Sequence, residues 1–308
     1  MDSNRSNSIV GIFILITVMF VIFFIFAFYT VASLKSSNEM ADALSNKKAQ
    51  ILVVEVDGVI MDSKNTIKKL LKAEKHKETK AIILRINSPG GAVGPTQEIF
   101  EEVVRIDKKI PVYASFGTVA ASGGYYLGAA CRKIFSPAGA MTGSIGVIMN
   151  FFNLKELMDW AKVKPQIIKA GKYKDIGSQS RDMTVEERAL LVGMTENVHQ
   201  QFINDIFKRR GSAIKGGLEG LEQYAQGQIF SGEEALNRGL VDEIAGLWQA
   251  GRSIHKELEL KDEFDLKFVK LEKKMKFAEL VRSIDGLLGK ISSLFSTSAM
   301  GPMYLLDK

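Results

Sequence analysis

"AIILRINSPGG", residues 81–91, is the stretch on which the fold turns. Ala81–Ile86 is a short, nearly continuous apolar run, the pattern of a strand buried in a parallel sheet. Pro89, Gly90 and Gly91 stop that run and release backbone N–H groups from any ladder. Such groups either face water or point at something negative. The surrounding sequence has to decide between the two.

Working outward, "ILVVEVDG" (51–58) reads as a strand upstream, with a helix near 64–75 between the two. Downstream, "PTQEIFEEVVRIDKK" places Ile99, Val103 and Ile106 on one helical face, and "PVYASFG" (111–117) is a third strand. Strands alternating with helices predict an α/β fold with parallel pairing. Farther on, Thr184 and Glu187 form a capping-box pattern that opens a long helix ending before Gly211. Its stripe of Leu191, Met194, Val198, Phe202 and Ile206 reads as core packing. Ser231 and Glu234 open another helix, with Gly239 at its stop.

The bulk numbers narrow the function. The chain has 308 residues, 46% of them hydrophobic, enough for one or two domains with a sizeable core. A net charge of +6 suits a membrane surface or a nucleic acid. No cluster of basic and aromatic residues supports the nucleic acid, which is set aside. Cys131 is the only cysteine, so there is no disulfide framework and no Cys-rich metal site. His76, His199 and His255 all stand away from the glycine turns and read as surface or helix-face residues. Their scarcity argues against His-based catalysis and a His-ligated metal. No cofactor and no metal are expected.

Residues 9–34 contain no charge and are long enough to span a bilayer, longer than the apolar region of a cleaved signal peptide. The expected organisation is a tail at 1–8, a transmembrane helix at 9–34, a polar linker at 35–49, a catalytic domain at 50–258 and an amphipathic segment with a mobile tail at 259–308. Arg5 precedes the span while Lys35, Lys47 and Lys48 follow it. The positive-inside rule alone therefore does not place the C-terminal domain outside. In 270–295, Phe277, Leu280, Val281, Ile284, Leu287, Leu288 and Ile291 recur at threes and fours. This face is expected to pack on a neighbouring subunit rather than lie on an anionic leaflet.

Chemistry concentrates in "TVAASGGYYLGAA" (118–130), where Ser122 stands among small residues with two glycines behind it. A nucleophile and an N-cap serine both fit that setting. A nucleophile needs a base, and with no suitable histidine the candidates are Lys169, Lys172 and Lys174 of "IIKAGKYKDIG". In an extended "GKYKD", Lys172 and Lys174 point to one face, so pattern does not choose between them.

"NSPGG", "AASGGYYLG", "TGSIGV" and "GKYKD", in this order behind an apolar N-terminal span, resemble the short form of the bacterial signal peptide peptidase A family, across roughly residues 50–250. That family is a serine–lysine protease of the S49 group with the fold of Clp protease and crotonase. The resemblance implies repeated β-β-α units, Ser122 as nucleophile and Lys174 as general base. It implies Ser144 as the serine that orients the lysine, and Gly91 and Gly123 as the oxyanion hole. It also implies a homo-oligomeric ring, an octamer, with serine and lysine contributed by one chain. The expected function is a membrane-anchored endopeptidase that degrades remnant signal peptides on the extracytoplasmic side. Apolar substrates would bind extended, along a strand edge. The alternatives are a protease of the same fold acting on other membrane proteins, a non-catalytic membrane scaffold and a crotonase-like acyl-CoA enzyme.

Overall fold

The computed structural model describes residues 16–27 and 50–271. Residues 16–27 form a helix, α1, inside the expected membrane span. No helix among the described residues is long and apolar enough to cross a membrane. The rest of that span, the linker and the C-terminal amphipathic segment from 272 onward lie outside the described residues.

From residue 51, strand and helix alternate: β1 Ile51–Asp57, α2 Lys64–Lys75, β2 Ala81–Ser88, α3 Val93–Asp107, β3 Val112–Ala121 and α4 Gly123–Ala130. The resemblance implied β-β-α repeats; here one helix separates each pair of these strands. β1, β2 and β3 pair in parallel, with Ile51 opposite Ala81 and Ile82 opposite Val112. Their apolar runs are buried on both faces, as a covered parallel sheet requires. One face carries the larger core, built with Leu70 of α2, Ile99 and Val103 of α3, Leu127 of α4 and Ile206. The other packs Val53, Ile83 and Tyr113 under Ala250 and Ile254.

The remaining elements are β4 Lys133–Ser136, β5 Met141–Gly143, α5 Lys155–Trp160, α6 Val185–Arg210, α7 Gly217–Tyr224, β6 Ile229–Ser231, α8 Gly232–Arg238, β7 Glu243–Ile244, α9 Leu247–Glu257 and β8 Leu266–Phe268. β8 adds to β1 at the sheet edge, so the compact unit runs through Val269, past the expected boundary at 258. β3 forks the sheet. Its first half pairs with β4, and its second half with β5.

A bulge makes this fork possible. Ile86 faces Phe116 but Ser88 faces Ala120, so β3 advances four residues while β2 advances two. Asn87 fills the gap, its Oδ1 accepting the Thr118 N–H at 3.1 Å. A Cβ at Gly117 would sit 2.9 Å from Asn87 Cβ, so a side chain has no room there. The strand expected to end at 117 therefore continues to Ala121 and delivers Ser122 at its tip.

α6 opens with the expected capping box of Thr184 and Glu187. Glu187 also holds Arg181, whose Nη2 donates at 2.6 Å, while Arg181 Nε donates to Asp175 at 2.9 Å. The core reading of its apolar stripe is corrected for the first half of the helix. Phe202 and Ile206 are buried, but Met194 is 56% exposed. Val185, Leu190 and Val192 in the first half of α6 are exposed as well.

Candidate active site

Ser122 joins β3 to α4 at φ 53° and ψ −120°. Its N–H donates to Gly143 O at 2.8 Å, and its carbonyl accepts the Tyr126 N–H at 2.9 Å. The backbone is thus pinned from both sides while the hydroxyl keeps no partner among the described residues. A non-glycine residue held in this region is strained by about 1–3 kcal/mol, which persists where the surroundings fix it.

The glycine turn packs directly on that corner. Gly90, at φ 107°, would place a Cβ 2.9 Å from Ser122 Cβ. Gly91 forms a parallel bridge with Ile60, where a Cβ would lie 2.1 Å from Ile60 O. Buried Ser88 holds the turn, its Oγ accepting the Gly90 N–H at 3.1 Å. In that arrangement Ile60 N–H donates to Gly90 O, and Ala92 N–H to Ile60 O. The intervening Gly91 N–H has no acceptor among the described residues, nor has the Gly123 N–H in the first turn of α4. Two free donors therefore flank a free serine hydroxyl, which is the arrangement an oxyanion needs.

Ser122, Gly91, Gly123 and Ser144 line one cavity of about 510 Å³. Ser144 follows β5 at φ 48°, and its N–H donates to Gln228 O at 2.6 Å. Its hydroxyl also has no partner among the described residues. Val93, Val147, Ile148, Val198 and Phe202 supply apolar walls.

The three lysines behave differently. Residues 170–177 form turns, where an extended run had been considered. Lys169 binds Asp175, and Lys172 binds Glu186, which raises the Lys172 ammonium above its ordinary range. The Lys174 backbone N–H donates to Gly171 O at 3.3 Å, but its side chain has neither hydrogen bond nor ion pair among the described residues. It is exposed and does not line the cavity of its own chain.

The profile of peptidase family S49 matches residues 105–261, and that of Clp protease matches residues 34–142. The chain belongs to peptidase family S49. It is a serine peptidase on a Clp-protease-like α/β domain. A provisionally named protease of Synechocystis sp. is 37% identical over 201 residues, 65% of this chain and 71% of that one. An Enterococcus faecium protein, provisionally named signal peptide peptidase SppA, is 33% identical over 237 residues, 72% of this chain and 67% of that one. The chloroplastic serine protease SPPA of Arabidopsis thaliana is 32% identical over 194 residues, 63% of this chain but 28% of that one.

Set beside this S49 chain, four expected site residues share one cavity and Lys174 stands apart. His199, read as a helix-face residue, lines the Ser122 cavity with its Nε2 buried and unpartnered. Tyr126 is a further wall residue that composition and spacing did not single out. It stacks on Phe100 at 4.4 Å and against Phe202 at 4.8 Å, and its hydroxyl donates to Asp205 on α6. Burial, seconded by Asp205, pushes the Tyr126 phenol far above its ordinary value. It stays a proton donor that ties α4 to α6.

Proposed function

We propose that this serine peptidase is a membrane-anchored endopeptidase that degrades remnant signal peptides, with Ser122 and Lys174 as its dyad. The observation that carries the reading is the corner itself, where a free serine hydroxyl lies between two unused N–H groups in a cavity of mixed polar and apolar walls. Neutral Lys174 takes the proton of Ser122 Oγ as that oxygen attacks the scissile carbonyl. The N–H groups of Gly91 and Gly123 hold the resulting oxyanion, and one such donor contributes about 2.7–4 kcal/mol in measured enzymes. Lys174 then protonates the departing amine, and water hydrolyses the acyl-enzyme by the same route. Ser144 accepts or donates to the lysine and keeps it aimed.

A solvated lysine titrates near 10.4, so Lys174 has to be buried to serve as a base. We place that burial in an assembly of copies, for which the resemblance implies an octameric ring. Ile148, Phe152, Trp160 and Ile168 precede Lys174 and are 69–101% exposed, a face suited to a second copy. A neighbouring chain then supplies Lys174 to Ser122, in place of the single-chain dyad the resemblance implied. Anchoring through 9–34 and an extracytoplasmic catalytic domain complete the reading.

Labelling with a fluorophosphonate tests it. Wild-type protein should be labelled and should cleave apolar peptides, and Ser122→Ala should lose both while keeping its fold. Substantial cleavage by a folded Ser122→Ala protein would sink the assignment.

A further inference from the structure

We propose that the groove between α3 and α6 holds the free C-terminal carboxylate of the peptide being cleaved. The inference rests on the endopeptidase reading and adds a class of substrate, peptides with a free carboxyl end.

A second cavity of about 300 Å³ lies between these helices, and Gln97 and Tyr126 line both it and the Ser122 cavity. The two are neighbours along one track. Residues of α3 and α6 wall the first cavity at Thr96 and Phe202, and the second farther along each helix, at Lys108 and Arg209. The Gln97 side chain donates to Gln201 at 3.1 Å and so crosses the track where the two meet. A peptide passing along the track replaces that single neutral bond.

The second cavity is polarised along its length. Near the serine it has Glu101 and Asp205, and Asp205 is engaged by the Tyr126 hydroxyl. Its far end gathers Arg105, Lys108, Lys208 and Arg209. The two arginines are committed, Arg105 to Glu74 and Glu102, and Arg209 to Asp107 at 3.0 Å. Lys108 and Lys208 have no carboxylate partner among the described residues. The Arg209 Nε beside them is buried without an acceptor. Two ammonium groups without a carboxylate partner, at the far end of a track that starts at the nucleophile, match a singly charged carboxylate on a chain. A doubly charged phosphate filling the same cavity would also meet Glu101. The extended peptide meets that residue with its neutral backbone.

Length gives the register. From Gln97 to Lys108 the helix rises about 16 Å, and an extended peptide covers that distance in about five residues. Cleavage is therefore expected roughly five to eight residues before the carboxyl end.

The test uses the full-length protein in detergent and matched apolar peptides ending in a free acid or an amide. The acid should show a KM about tenfold lower at similar kcat, in line with a charge-assisted hydrogen bond. Mass spectrometry should find the short C-terminal fragment. The double variant Lys108→Ala/Lys208→Ala should lose the preference, Lys108→Arg/Lys208→Arg should keep it, and both should react with fluorophosphonate at the wild-type rate. Calorimetry on Ser122→Ala protein compares acid and amide binding without turnover, so it decides the carboxylate site even if Ser122 proves not to be the nucleophile. Equal binding of acid and amide there, or a preference that survives in the double alanine variant, overturns the proposal.

Discussion

Ser122 carries a conformation that glycine adopts freely and other residues resist. Replacing the serine therefore separates strain from chemistry. Ser122→Gly and Ser122→Ala should both be inactive, but the glycine variant should unfold at higher denaturant, by about 1 kcal/mol after its own entropic cost. A chemical-denaturation series of the two variants checks this. The lysines divide just as sharply. Lys172 is held protonated by Glu186, whereas the Lys174 side chain has no carboxylate partner among the described residues. Lys172→Ala should keep most of its peptidase activity, and Lys174→Arg should have none, because a guanidinium does not deprotonate. Wild-type kcat/KM should rise with pH through a value well below that of free lysine. Equal loss in both lysine variants would leave the base unassigned. The small-residue stretches made Ser122 and the glycine turn legible, because close backbone approach demands such residues, whereas Ser144 entered only through the family resemblance. His199 and Tyr126 were not, since their place in the cavity depends on how α6 and α4 meet, which no local pattern encodes.

Elements with local causes were the readable ones. Both capping boxes form where the residues require them, and the apolar strands pair as expected. The Asn87-filled bulge, the fork in β3 and the late edge strand β8 all arise from contacts between distant segments, and the sequence carries no short-range mark of them. The clasp of Asp175, Arg181 and Glu187 has a consequence that acid reveals. Hydrogen bonds from Arg181 and the capped Thr184 N–H hold the Glu187 carboxyl down from 4.5 to about 2. A lowered folded value means the stabilisation is complete above about pH 4.5 and disappears as pH falls toward 2. Amide exchange in the first turns of α6 should accelerate across that window. In Glu187→Gln the same amides should exchange faster at neutral pH and show no further step between pH 4.5 and 2. An unchanged step in the variant would assign the transition to another carboxylate.

For the whole molecule, the separation of Lys174 from its own cavity makes mixing informative. Ser122→Ala supplies a lysine without a nucleophile, and Lys174→Ala supplies a nucleophile without a base. Co-assembled from a mixture, the two inactive proteins should regain a fraction of wild-type activity if the dyad forms between copies. Refolding or subunit exchange followed by peptide cleavage checks this, and a mixture as silent as its parts would return the dyad to a single chain. Trp160 is 80% exposed in the isolated chain. Trp160→Asp should therefore lower both oligomer mass by light scattering and activity, with little change in the circular dichroism of the domain.

The bulge opposite Asn87 also acts as a ruler. It inserts an even number of residues into β3, so the strand gains reach without changing which face each later side chain takes. Removing two residues at 117–119 would leave Ala120 and Ala121 on their present faces but retract the serine by about 7 Å, out of line with Gly91. Removing one would turn the end of the strand over and expose what is now core. Length changes in this strand are thus constrained by parity as well as by amount, and Ser122 stands at the end of the count.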